Sequence, residues 1–298
     1  MPTSHSPIPT RPLGKTGHQA TLFGLGGEGV LRSDGRMAEA AIVIQRALEC
    51  GVNYCDTAPA YSSSMDYYGA VLRERRERIF LASKTADRTR DGSLRVLDDS
   101  LRRLRTDHLD LWQLHDLRTR AEVDAIFSKD GAIHALTRAR EEGRVRFLGL
   151  TGHHDPEVLL EALKRFEFDT LLMALNAADV QRRSFSRTVL PEALRRGMGV
   201  IGMKVYGAST IVEPNGPLRA REAMGYVLSF PGVSCVILGC RTPREVEENA
   251  MAACRFEPFS ERDMRALEER AKKDEAEFTS YKKAGAPPPG VPPALHRP

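Results

Sequence analysis

The sequence predicts an α/β fold: a closed (β/α)8 TIM barrel with an N-terminal β-hairpin and a C-terminal extra helix and tail. Three observations carry this expectation. Eight short apolar runs alternate with stretches of helical spacing, the pattern of a parallel sheet covered by helices. The length of 298 residues suits one barrel of about 250 residues with additions. Four polar residues, Asp56, Tyr61, Lys84 and His115, stand at or just beyond the ends of successive runs. That is the edge where a barrel gathers its reactive groups.

The elements follow in order. Residues 1–10 read as a flexible leader, 11–281 as a single barrel domain and 282–298 as a Pro-rich tail that cannot hold regular structure. Within 11–21, a Lys15-Thr16-Gly17 turn joins two short extended pieces, a small hairpin. The strand-like runs are 22–26, 52–55, 79–83, 109–114, 146–150, 170–175, 200–203 and 234–238. Helical spacing covers 37–50, with Ala41, Ile44 and Leu48 on one face and Gly51 as its stop. Leu94, Leu97, Leu101 and Leu104 make a second stripe, and Leu159, Ala162, Leu163 and Phe166 a third. A late helix spans 260–278. The open-sheet alternative requires a glycine-rich dinucleotide turn after the first strand. Gly24, Gly26, Gly27 and Gly29 lack its spacing and read as a loop at the barrel mouth.

Composition narrows the function. Forty-four basic and 40 acidic residues are mixed along the chain for a net charge of +4, which argues against a dedicated nucleic-acid binder. No apolar run approaches the roughly 20 residues of a membrane span, and the first residues lack the regions of a secretion signal. A cytoplasmic location is expected. Five cysteines (Cys50, Cys55, Cys235, Cys240 and Cys254) form no regular framework and suit a reducing compartment.

The four polar residues make a proton-relay set. Tyr61 is the candidate general acid, and Lys84 is expected to lower its pKa by favouring the phenolate. Asp56 is expected to hold Lys84 by a salt bridge. His115 would donate a hydrogen bond to a substrate carbonyl. Reduction also needs a hydride, which no side chain supplies, so a nicotinamide cofactor is implied.

These residues give the chain its resemblance to the aldo-keto reductase superfamily. Asp56-Thr-Ala-Pro-Ala-Tyr61 matches the family motif after the second strand; Lys84 and His115 fall on its lysine and histidine, and Asp99-Ser-Leu-Arg-Arg-Leu-Arg-Thr-Asp-His-Leu-Asp-Leu111 is also typical. The resemblance runs from about Arg11 to Met251. It implies a small bacterial-type member with a β/α barrel that reduces an aldehyde or ketone. Other members oxidise alcohols, and some relatives serve as nicotinamide-cofactor-sensing regulatory subunits with little turnover.

The resemblance also implies cofactor positions, with NADP(H) favoured over NAD(H). The adenosine phosphate end falls on Gly239 and the helix after it, where Thr242 caps, Pro243 opens and Glu245 completes a capping box. Arg241 and Arg244 there can pair with a 2′-phosphate, and Glu248 and Asn249 match the family's adenine-side pair. Met203, Lys204, Val205 and Tyr206 form the pyrophosphate strap, with Met203 against the nicotinamide. The carboxamide clamp departs from the family: Thr151-Gly152 stands for Ser-Asn and Leu172 for Gln, with His153 or Asn176 as substitutes. The adjacent His153 and His154 are expected to face different directions, so no metal site is expected. Glu28, Val30 and Leu31, Trp112, the 116–130 loop and the segment from Tyr206 are the expected substrate walls, suited to an apolar or aromatic carbonyl compound. The partners expected are this small molecule and no nucleic acid or membrane, with the chain a monomer or weak homo-oligomer.

Overall fold

The computed structural model describes residues 7–212, 214 and 216–282. Among these, two short antiparallel strands, β1 (Thr10–Pro12) and β2 (Gln19–Thr21), form the expected hairpin. Eight parallel strands follow: β3 (Phe23–Gly29), β4 (Tyr54–Asp56), β5 (Phe80–Thr85), β6 (Leu109–Leu114), β7 (Val145–Gly152), β8 (Thr170–Ala174), β9 (Gly199–Met203) and β10 (Val233–Cys240). They close in sequence order, with β10 pairing β3. The fold class and the number of barrel strands match the reading of the sequence.

The helices in chain order are α1 (Met37–Glu49), α2 (Ser64–Val71), α3 (Arg90–Leu104), α4 (Arg120–Ile126), α5 (Ala132–Glu141), α6 (Pro156–Arg165), α7 (Phe185–Arg195), α8 (Ala220–Leu228), α9 (Pro243–Cys254), α10 (Glu261–Lys272) and α11 (Glu275–Phe278). Their starts are chemically marked. Thr89, Thr119, Asp155, Ser184, Thr242 and Ser260 each accept a backbone N–H of the first turn. The late helix is two pieces, broken between Lys272 and Glu275. The buried face of α1 is Ala40, Val43, Ile44 and Ala47, so Ala41 lies off its centre.

Strand alternation builds two cores. Tyr54, Phe80, Ala82, Leu111, Leu172, Ile201 and Cys235 fill the barrel interior, and Leu13 and Ala20 of the hairpin close its bottom. The alternate residues, such as Cys55, Leu81, Trp112, Leu148 and Val236, face the helices. Each fully buried leucine or phenylalanine contributes about 1.5–3 kcal/mol. No helix among the described residues is long and apolar enough to cross a membrane.

Both ends of the barrel domain extend past their expected boundaries. Ile8 is buried, Pro9 O accepts Leu22 N–H and Thr10 pairs with Thr21, so the expected leader already belongs to the fold at residue 8. Lys282, the first residue of the expected tail, is buried against Asp179. The rest of that tail, 283–298, lies outside the described residues.

One glycine sets the mouth. Gly29 has φ +71°, and a Cβ there would lie 2.3 Å from Cys240 O. Gly29→Ala is expected to cost about 1–3 kcal/mol through left-handed strain plus this clash. A urea midpoint unchanged from wild type would refute that account.

Candidate active site

The ends of β4, β5 and β6 bring three of the expected residues together, and the turn after β4 adds the fourth. Asp56 points inward at the top of β4 and is fully buried. Lys84 Nζ donates to Asp56 Oδ1 and, at 2.9 Å, to Thr57 O. Gln113 Nε2 donates to Asp56 Oδ2 at 3.1 Å. The turn after β4 is held by Tyr61 N–H to Ala58 O and Ser64 N–H to Tyr61 O. It lays the Tyr61 ring 4.9 Å from Lys84 Nζ and 5.3 Å from the Arg32 guanidinium. His115 meets that ring edge-on at 5.8 Å. Tyr61, Lys84 and His115 therefore border one small cavity of about 50 Å³ at the C-terminal mouth, and Asp56 lies behind Lys84, out of contact with the cavity.

The electrostatics differ from the expectation at one point. Burial pushes the Tyr61 phenol well above its ordinary range, and the carboxylates of Asp56 and Glu28 push it further. Lys84 does not bring it down, because its ammonium is turned to Asp56 and the Thr57 carbonyl and meets Tyr61 at the ring. Burial also raises the Asp56 carboxyl, against the opposing pull of Lys84 and Gln113. Burial, reinforced by Lys84, holds His115 well below its ordinary value, so its imidazole is neutral.

The remaining expected residues divide. Thr151, Met203, Lys204 and Glu28 line the cavity. Lys204 has φ +56°, a strained conformation for a lysine at the end of β9, and burial lowers its pKa. Trp112 and Val30 do not form substrate walls: both are buried in the outer core, because strand parity turns Trp112 toward the helices. Leu31 and Val205 are in the same outer core. Gly152 also faces outward, where a Cβ would lie 2.8 Å from Leu159.

Asn176 is already engaged. It donates to Lys204 O at 3.0 Å and Tyr281 Oη at 2.9 Å, and accepts from Ala178 N. Tyr206 Oη donates to Asn249 Oδ1 at 2.7 Å, and Arg244 pairs with Glu248 at 2.8 Å. Glu245 completes no capping box, since it accepts from Arg241 N, one residue before the cap. Gly239 is exposed and packs against Glu28, where any Cβ would lie 2.6 Å from that of Glu28. The Arg241 side chain is exposed at the head of α9.

Several site residues escaped the sequence reading. Gln113 lies two residues after inward-facing Leu111 in β6, so strand parity alone points it inward. Arg88 holds the end of β6 by donating to His115 O and Asp116 O at 2.8 and 3.2 Å. Arg32 completes the cavity wall beside Asp116, the first residue of the expected 116–130 wall. With Glu28, Lys84 and Lys204, they put five charged side chains among the eleven residues that line the cavity.

His153 and His154 do not face apart. Both turn to Asp116: His153 Nδ1 and His154 Nε2 lie 3.2 and 3.3 Å from Asp116 Oδ1. Burial pushes the Asp116 carboxyl up, but His154, His153 and Arg118 outweigh it and hold it well below its usual range. Burial drives His153 down to about 3 despite Asp116.

A closed parallel barrel with this polar centre at its C-terminal mouth defines a β/α-barrel oxidoreductase. The chain belongs to the aldo-keto reductase family: the sequence profile of the aldo/keto reductase family matches residues 23–219. It is 24% identical to pyridoxal 4-dehydrogenase of Microbacterium luteolum, covering 81% of this chain and 92% of that protein. Its fold is similar to an aldo-keto reductase of Bacillus halodurans in the holo form, with a TM-score of 0.75, 23% identity, and 88% and 96% of the two chains covered. It is also similar to an aldo-keto reductase of Klebsiella pneumoniae in complex with NADPH, with a TM-score of 0.73, 20% identity, and 89% and 95% covered. The protein is thus a nicotinamide-dependent oxidoreductase of carbonyl chemistry.

Proposed function

We propose that the chain reduces a small polar aldehyde or ketone with NADP(H), with Tyr61 as the proton donor. The observation that carries the reading is the meeting of Tyr61, the Lys84–Asp56 pair and neutral His115 at one mouth cavity. A neutral imidazole can donate a hydrogen bond to a carbonyl oxygen and aim it at the phenol. The raised pKa keeps Tyr61 protonated until a substrate oxygen gathers negative charge. As the phenolate forms, the ammonium of Lys84 beside its ring stabilises it. Asp56 and the Thr57 carbonyl keep that ammonium in place. The same groups run in reverse for alcohol oxidation, and the Microbacterium relative is named as a dehydrogenase.

The donors present fit a nicotinamide dinucleotide, which when bound supplies the hydride. Lys204 brings a half-buried ammonium to the cavity for an anionic or carbonyl oxygen, and Thr151, Met203 and His153 border the same space. Arg241 precedes α9 and suits a 2′-phosphate. The NADPH held by the Klebsiella protein supports the same choice. Arg244 would first have to leave Glu248.

The test is loss of nicotinamide absorbance with NADPH and NADH in parallel, on an activated aromatic aldehyde and on a small hydroxylated aldehyde. Turnover faster with NADPH and the hydroxylated substrate is expected; no turnover with either cofactor would sink the reading. Arg241→Ala should raise KM for NADPH on the order of 10- to 100-fold and leave KM for NADH nearly unchanged. Equal effects on both would remove Arg241 from the phosphate site.

The pH dependence follows from the sign of the Tyr61 shift. Reduction needs the protonated phenol, and its folded pKa lies above the ordinary value of 10. Reductive kcat/KM should therefore show no alkaline loss from Tyr61 up to about pH 10. A limb near pH 8 that disappears in Tyr61→Phe residual activity would contradict this.

A further inference from the structure

We propose that Asp116, His153 and His154 form a three-ligand site for a divalent transition-metal ion, of the zinc class, beside the reactive cavity. The two imidazole nitrogens and Asp116 Oδ1 all lie within 4.8 Å of one another. Their separations of 3.2 and 3.3 Å from the carboxylate oxygen match the edge of a zinc tetrahedron. Metal–ligand bonds of about 2.0–2.1 Å at tetrahedral angles give an edge of about 3.3 Å.

The contacts are close yet not aligned as hydrogen bonds. Asp116 Oδ1, both ring nitrogens of His153 and His154 Nε2 are buried without a hydrogen-bond partner among the described residues. Buried polar atoms normally find partners, so a converging group that lacks them calls for a ligand. A cation between the three atoms would satisfy three of these lone pairs at once.

The surroundings hold the ligands in place. Asp116 has φ +54°, and its N–H donates to Thr151 Oγ1 at 2.7 Å, which fixes the turn after His115. Arg118 takes the other carboxylate oxygen at 2.6 and 2.8 Å and leaves Oδ1 facing the imidazoles. Outer partners of this kind orient first ligands. The charge of Arg118 lowers the affinity for any cation. The site therefore favours a transition ion, whose bonds to imidazole are strong, over calcium or magnesium, which depend on oxygen donors. Three protein ligands leave a fourth position open. Asp116 and His153 line the cavity that holds Tyr61 and His115, so two of the three ligands border the reacting side.

Full-length protein, stripped with a chelator and dialysed, tests this by titration with Co²⁺ and then Zn²⁺. One Co²⁺ per chain is expected, with the visible absorption of a four-coordinate site, and its displacement by Zn²⁺. His153→Gln and His154→Gln should each lower Zn²⁺ affinity by more than the roughly 10- to 100-fold typical of losing an outer partner. Both variants should keep the wild-type circular dichroism. Wild type that takes up no Co²⁺ would overturn the proposal, as would stoichiometric binding that survives both substitutions. Because the readout is metal content and absorption, failure of the reductase reading would leave this result unaffected.

Discussion

Replacing Tyr61 with phenylalanine is expected to cut carbonyl reduction by roughly 10²- to 10⁴-fold, the range contributed by a positioned proton donor. The ring would keep its packing against Lys84, Arg32 and His115, since those contacts are to its face and edge. Cofactor affinity should therefore stay within a few-fold of wild type, and kcat and kcat/KM should fall together, as for an interaction made only in the transition state. Steady-state rates and cofactor fluorescence titration would read both quantities. Near-wild-type rates in Tyr61→Phe would remove Tyr61 from the proton transfer. A large loss of cofactor binding would instead make it a binding residue.

The second large effect concerns stability. Asp179 and Lys282 form an ion pair at 2.6 Å in which both side chains are fully buried. Lys282 Nζ also donates to the carbonyls of Asp179, Arg182 and Arg183. The carboxylate further accepts from Ser184 and Ser186 hydroxyls and from Phe185 and Ser186 N–H. Asp179→Ala strands an ammonium in the interior and strips the start of α7, and is expected to cost about 3–5 kcal/mol. Lys282→Met should cost less, because the carboxylate keeps its other donors. Urea unfolding would measure both, and the reverse order would refute this account of the pair. Against a total stability of about 5–15 kcal/mol, the loss in Asp179→Ala is large enough to see at once.

The barrel was legible because its signals are local. Eight apolar runs and their helical partners repeat within a few residues, and β6 spans Leu109–Leu114 as read from the sequence. The polar set at the ends of β4 to β6 was legible for the same reason: parallel strands in sequence order bring their ends to one rim. Errors arose where orientation or a distant partner decided the outcome. Trp112 and Val30 lie at the right height but on the outer side. Lys84 pairs with Asp56 as expected, but burial raises the Tyr61 phenol where the lysine was expected to lower it. His153 and His154 were expected to diverge, and the loop after β7 turns both toward Asp116.

The sequence by itself determined the fold class, the order of the strands and which residue types reach the mouth. These depend on periodicity and composition, which act between near neighbours. Tertiary structure alone decided the pairings: Asp116 with two histidines, Asn176 with Tyr281, and Asp179 with Lys282, 103 residues away. A lysine at the start of a Pro-rich tail reads as solvated. Only the path of the closing chain brings it to a buried carboxylate, where the low dielectric makes the pair strong and its loss costly.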